Sequence, residues 1–175
     1  MMTSTRSTPD SVLAITLPGI RIRDMRSADL DEVLRIEQAS FTHPWTKVHF
    51  LSSLVRRPAA QSWVAVSEER IEGYVIAWYI SRYSDEAGEV HIHNIAVHPE
   101  SRRTGIGKLL LHTAAEQGYT LHCSEVSLEV RASNDRARQF YNTCGFRVSG
   151  RRKNYYGDDD ALVMITGVET MLATI

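Results

Sequence analysis

The sequence predicts a single mixed α/β domain (α/β, α+β), and three observations carry that expectation. Runs of strand period alternate along the chain with runs of helical period. No internal repeat or linker-like stretch divides them. The length of 175 residues, with 43% hydrophobic side chains, suits one domain with a proper core.

Each element has its own signal. Residues 1–19 are Ser/Thr-rich and are expected to form a flexible leader, leaving 20–175 for the domain. Arg21-Ile22-Arg23-Asp24-Met25 alternates as a strand does. Ser27 is placed to cap a helix whose apolar face is Leu30, Val33, Leu34 and Ile36. A loop with Pro44-Trp45 leads to a second helix near 46–54. Residues 62–67 and 73–81 are β-rich runs parted by a charged turn at 68–70, which predicts a hairpin. Another strand spans about 89–97. The next helix is expected to bury Ile106, Leu109, Leu110 and Thr113 and to end at Gly118. A strand at 126–130 and a helix at 134–144, stopped by Gly145, follow. Closing strands near 146–155 and 161–166 flank an acidic turn at 158–160, which reads as a solvated hairpin turn.

Composition excludes several classes of function. The net charge of −1 argues against general nucleic-acid binding. No apolar run approaches the length of a membrane span. The apolar stretch 12–17 is too short and poorly flanked for a secretory signal, so a cytoplasmic, non-membrane protein is expected. Cys123 and Cys144 lack metal-type spacing, and a domain of this size needs no disulfide framework. His91 and His93 share a strand face near His98, but no third ligand has convincing spacing, so no metal is expected.

The chemistry concentrates in two places. The first is 93–110, HNIAVHPESRRTGIGKLL, where an apolar strand runs through a polar loop into a helix. N–H groups at a helix start, two glycines and two arginines make an anion cradle. A nucleotide P-loop would need glycine at Arg102 and Ser or Thr at Leu109, and a dinucleotide fingerprint would need glycine at Leu110. What remains is Arg-x-x-Gly-x-Gly, whose glycines would otherwise read as a tight turn beside a helix start. The second place begins at Glu129, at a strand end, followed by a helix that carries Ala137, Tyr141 and Cys144 on one face. A carboxylate and a phenol bordering one cleft supply a proton acceptor and a weak proton donor. Each alone reads more simply, Glu129 as a solvated or ion-paired strand end and Tyr141 as a half-buried packing residue.

The glycine loop resembles the acyl-CoA pyrophosphate loop of the GNAT superfamily of N-acetyltransferases. Asn94-Ile95-Ala96-Val97, Arg103-Thr104-Gly105-Ile106-Gly107-Lys108, Leu128-Glu129-Val130-Arg131-Ala132-Ser133-Asn134, Tyr141-x-x-x-Gly145-Phe146 and Arg152-Lys153-Asn154-Tyr155-Tyr156 occur in that order. With Ile36-Glu37-Gln38 and Pro44-Trp45, they resemble the ribosomal-protein-alanine N-acetyltransferase family over nearly everything after residue 20. The resemblance implies a GNAT fold, a mixed central sheet of about six to seven strands flanked by about four helices. It implies acetyl-CoA as acetyl donor and no metal. Ile95, Ala96 and Val97 would offer backbone to the pantetheine arm. Arg102, Arg103, Thr104, Gly105, Ile106, Gly107 and Lys108 would hold the pyrophosphate, and Asn134 would contact the cofactor. Glu129 matches the family's general base and Tyr141 its general acid. Two features depart from the family: Arg102 stands where some members carry Gln, and the loop 157–160 looks shorter than in relatives.

The implied substrate is a protein N-terminus, typically the N-terminal alanine of ribosomal small-subunit protein 18, with the enzyme a monomer or weak dimer. An α-amine has a pKa of about 7.7–8.0 and lysine about 10.4, so an N-terminus needs little help from a base. Proton transfer from a phenol near 10 to a thiolate near 8.5 is uphill by roughly 2 kcal/mol, so Tyr141 would donate a hydrogen bond or act in concert. Cys144, with no evident base partner, reads as packing rather than as an acyl carrier. Two alternatives stand beside this one: a GNAT enzyme acting on a small-molecule amine, and a non-catalytic acyl-CoA-binding module, against which Glu129 and Tyr141 count.

Overall fold

The computed structural model describes residues 16–56, 59–68, 70–80 and 87–175. Seven strands lie in one sheet: β1 (Arg21–Asp24), β2 (Ala60–Val66), β3 (Ile71–Ile80), β4 (Gly88–Val97), β5 (Cys123–Arg131), β6 (Arg147–Arg152) and β7 (Ala161–Gly167). Their order is β1-β2-β3-β4-β5-β7-β6. Neighbours run antiparallel except β4 and β5, which are parallel and joined through helix α3 (Ile106–Thr120). The other helices are α1 (Leu30–Ser40), α2 (Lys47–Val55), α4 (Asp135–Thr143) and α5 (Val168–Thr174).

The sheet separates two hydrophobic clusters. One holds Val75, Ala77, Val90, Ile92, Leu110, Leu111, Val126, Leu128, Met164 and Met171, on the side of α3 and α5. The other holds Leu30, Val33, Ile36, Phe50, Val64, Tyr74, Ile76 and Ala96, on the side of α1 and α2. Strand β3 sends alternate residues into each, which is why it reads as an almost unbroken apolar run. Ile76 pairs with Asn94 and Ala77 with Ile92, so His93 is an extra residue on β4, a β-bulge. The bulge shifts the alternation: Val90 and Ile92 face α3 before it, Ile95 and Val97 after it.

Several expectations need correction. Ser27 does not cap α1 but opens a short 3-10 turn, Ser27–Asp29. The carboxylate of Asp29 organises that turn, accepting the Arg26 N–H at 2.7 Å and a two-pronged contact from Arg23 at 2.7 and 2.8 Å. Gly118 does not end α3, which continues to Thr120. A Cβ at 118 would lie 2.2 Å from Val90 Cγ2, so the glycine lets helix and sheet touch, and the chain turns instead at His122 with φ +59°. Ile106, Leu109 and Leu110 of α3 are buried as expected, together with Leu111, His112, Ala114 and Ala115, while Thr113 is only half buried. Helix α5, which follows Gly167, was not expected. Gly145 does stop α4, at φ +86°, and Cys123 and Cys144 are buried free thiols. Of the expected leader, residues 1–15 lie outside the described residues, as does Ser81 of the expected second hairpin strand. Leu17 packs on the α3-side cluster, and its carbonyl accepts the Ile20 N–H at 3.0 Å.

Candidate active site

The parallel ladder of β4 and β5 runs from Gly88↔Cys123 to Ile92↔Leu128 and goes no further. Beyond it β4 stays with β3 as far as Val97↔Gly73, and β5 stays with β7 as far as Arg131↔Ala161. The sheet therefore forks at the His93 bulge. One edge of Ile95, Ala96 and Val97 opens on the fork, with Glu129 at the start of the opposing arm. Backbone groups on such an edge are available to pair with an extended ligand.

From the β4 arm the chain enters the loop that sequence singled out. The 3-10 turn Pro99–Ser101 is capped by His98, and Ser101 Oγ donates to the carboxylate of Glu72. Arg103 (φ +69°) and Gly105 (φ +96°) then turn the chain in the left-handed region, and α3 begins at Ile106 with no side-chain cap on its N–H groups. Glycine is favoured at 105 by that φ. At 107 a Cβ would stand 3.0 Å from Phe140 Cζ of α4. Arg102 turns away from the helix start: its Nε donates to Val97 O at 3.1 Å and a terminal nitrogen to Ser40 Oγ at 3.0 Å. Thr104 Oγ1 donates to Ser101 O at 2.6 Å. The amide oxygen of Asn134 caps α4 by accepting the Ala137 N–H at 3.0 Å. Arg103, Thr104, Gly105, Ile106, Gly107 and Lys108 thus gather at an uncapped helix start, where the partial positive charge favours an anion.

Glu129 is 12% exposed and is held from two sides, by His91 Nε2 at 3.1 Å and by an Arg152 guanidinium nitrogen at 3.1 Å. When the His91 ring is protonated, its hydrogen bond and charge, together with the charge of Arg152, hold the carboxyl below the usual glutamate range although burial pushes the other way. Tyr141 packs edge-on against Phe146, with ring centroids 5.6 Å apart, and burial drives its phenol well above the ordinary tyrosine value. Tyr156 lies within electrostatic reach of both, and burial pushes it up to about 12.

On the α1–α2 side, Glu37 is buried and accepts three donors: the Trp45 N–H at 2.7 Å, Asn94 Nδ2 at 3.2 Å and the Tyr74 hydroxyl. This pins the 41–46 loop to β3 and β4, and Trp45 stands edge-on to His93 with Trp78 beyond. Arg131 crosses from β5 to Asp158 at 2.8 Å and to His43 Nδ1 at 3.1 Å, and stacks on Tyr156 at 4.4 Å. The acidic turn is accordingly not merely solvated. Asp158 is taken by Arg131, Asp159 by Ser133, and Asp160 by Arg151 and the Asn154 N–H. Sequence reasoning missed His91 and Arg152 as partners of Glu129, and it gave Arg131, named only within the 128–134 run, no role of its own. The shared strand face of His91 and His93 was the available signal.

The pattern of the acetyltransferase (GNAT) family matches residues 30–146. A Bacillus subtilis protein, provisionally named a ribosomal protein bS18-alanine N-acetyltransferase, is 39% identical over 145 residues, covering 82% of this chain and 92% of its own. The Salmonella typhimurium ribosomal protein bS18-alanine N-acetyltransferase is 30% identical, covering 80% and 92%. The crystal structure of the Escherichia coli ribosomal-protein-S18-alanine N-acetyltransferase superposes with a TM-score of 0.72 at 27% identity, over 85% of this chain and 94% of that one. With its forked sheet and glycine loop, the chain belongs to the acetyltransferase (GNAT) family, among the ribosomal-protein-alanine N-acetyltransferases.

Proposed function

We propose that this chain is an acetyl-CoA-dependent N-α-acetyltransferase that acetylates a protein N-terminus, the N-terminal alanine of ribosomal small-subunit protein 18 being the substrate its relatives suggest. The observation that carries the reading is Glu129 standing where the sheet forks, opposite the open edge of β4. The residues fit the acetyl donor. Uncapped N–H groups of α3, Lys108 and the turn at Gly105 suit a pyrophosphate, and the edge of Ile95–Val97 suits an amide-bearing arm. Arg102 and Asn134 would serve mainly by shaping the loop and the start of α4.

Bound acetyl-CoA supplies an acetyl thioester open to attack by an amine. Glu129 accepts the proton of the attacking nitrogen. A carboxylate is a weak base: it can assist an α-amine near 7.7–8.0, a fair share of which is already neutral near pH 7, and does far less for lysine near 10.4. Tyr141, with its raised pKa, keeps its proton and donates a hydrogen bond to the leaving sulfur rather than transferring the proton outright. Asp158–Asp160 are occupied by their own partners, so a basic peptide gains little from them.

Incubation with acetyl-CoA and peptides beginning with alanine, serine or methionine, read by mass spectrometry, tests the proposal. A gain of one acetyl group on the α-amine of the alanine peptide is expected. Turnover of polyamines or aminoglycosides with no peptide product would overturn it in favour of a small-amine enzyme.

A further inference from the structure

Behind Glu129 runs a string of hydrogen bonds that the acetyl-transfer reading does not yet use. Glu129 Oε2 meets His91 Nε2 at 3.1 Å, His91 Nδ1 meets Ser127 Oγ at 2.8 Å, and Ser127 Oγ donates to Glu89 Oε1. The parallel register of β4 and β5 builds it by setting His91 directly beside Ser127. His91 is 18% exposed and Glu129 12%, so water competes little with these contacts.

Counting hydrogens shows what the string lacks. Three links need three hydrogens. With both carboxylates ionised and the imidazole neutral, only two are present: the Ser127 hydroxyl hydrogen and one ring N–H. If Ser127 donates to Glu89 and Nδ1–H donates to Ser127, then Nε2 and Oε2 face each other as two acceptors. One added proton completes all three links while every heavy atom stays in place, and in a poorly solvated site each completed link strengthens its neighbours.

We propose that Glu129, His91, Ser127 and Glu89 form a proton store, in which His91 holds the proton that Glu129 takes from the attacking amine. The proposal rests on the acetyl-transfer reading above. The amine nitrogen bonds to the acetyl carbon and gives up one hydrogen as a proton. The carbon–sulfur bond breaks, and sulfur keeps the electron pair. The proton passes from nitrogen to Glu129 Oε2 and is held at His91 Nε2, until it leaves to the sulfur or to water. Glu129 and, through Ser127, Glu89 favour a proton there. His93, whose ring lies 5.5 Å from that of His91, and Arg152 on the far oxygen of Glu129 oppose it, and Arg56 adds its charge near His93. His91 acts through Glu129 and is a positioning residue as well as the store.

The test is kcat/KM for an alanine-starting peptide as a function of pH, for the wild type and His91→Gln. On the acid side the wild type should fall with a slope of two, one proton binding the substrate amine and one the string. His91→Gln should be slower by about tenfold or more at neutral pH and fall with a slope of one. A His91→Gln enzyme that is slower but keeps the slope of two shows that His91 only orients Glu129, and one with unchanged rate shows that it does nothing; either overturns the proposal. If the variant does not fold, the imidazole nitrogen resonances of wild-type His91 decide. Conversion to a doubly protonated ring over the pH range in which the rate falls is expected, and a ring that stays neutral overturns it. Absence of any peptide acetylation by the wild type would sink the acetyl-transfer reading; the resonances would then judge the string by themselves, a His91 ring that stays neutral in acid while the fold is intact overturning it.

Discussion

On the α3 side of the fork, residues 102–108 present backbone N–H groups, with Arg103 and Gly105 left-handed, the helix start uncapped, and the Arg102 and Thr104 side chains tied back to neighbouring carbonyls. Across the fork, Glu129, His91 and Arg152 come from β5, β4 and β6 and hold one another through side chains. The first arrangement presents N–H dipoles whose charge does not change with pH. The second is a set of titratable groups whose state depends on each other. Under the proposed function the first would hold an anion and the second a proton, opposite requirements that the fork lets one sheet carry together.

With the proposed roles, the Glu129 side should be the more fragile for rate and the glycine-loop side the more fragile for affinity. Glu129→Gln should lower kcat by about 100-fold or more while acetyl-CoA binding, followed by calorimetry, stays intact. Equal turnover would remove Glu129 from the reaction. Tyr141→Phe should cost about tenfold in kcat, by the same factor at every pH up to about 10, because its phenol titrates far above that range. A basic limb that vanishes in the variant would instead assign the titration to Tyr141.

The backbone side is broken by Gly105→Ala. A Cβ at φ +96° should cost about 1–2 kcal/mol, read as roughly tenfold weaker acetyl-CoA binding with kcat at saturation largely kept. A smaller effect separates the two sides by pH. The folded pKa of Glu129 lies below its unfolded value near 4.3, so its stabilising contribution is present above that pH and is lost as protons bind it in the fold. Thermal melts of wild type and Glu129→Gln should therefore differ by about 1 kcal/mol at neutral pH and converge below about pH 4. Parallel curves down to pH 3 would show that the His91 and Arg152 contacts do not depend on the charge of Glu129.

Much of the glycine loop was legible in the sequence, because left-handed turns, helix starts and glycine requirements are steric matters among adjacent residues. The strands and the four longer helices were legible for the same reason, through their periods. The failures were contextual. Gly118 looks like a helix stop until Val90 is seen beneath it, and Ser27 looks like a cap until Asp29 takes the turn with Arg23. Three features passed through sequence reading without their meaning: the His93 bulge, the pairing of His91 with Ser127, and Arg131 tying the 41–46 loop to the 153–160 loop.

By itself the sequence determined the strands and the four longer helices, the glycine turn that opens α3, and the choice of Glu129 and Tyr141 as candidates for moving a proton. Only the tertiary structure decided which groups surround Glu129 and in what state they hold it. The reason is physical. Backbone conformation is fixed by clashes and hydrogen bonds a few residues apart, whereas the neighbour of a strand side chain is fixed by register, and shifting a strand by one residue turns every side chain to the other face. His91 meets Glu129 only because β4 and β5 lie in their observed register and part at the His93 bulge.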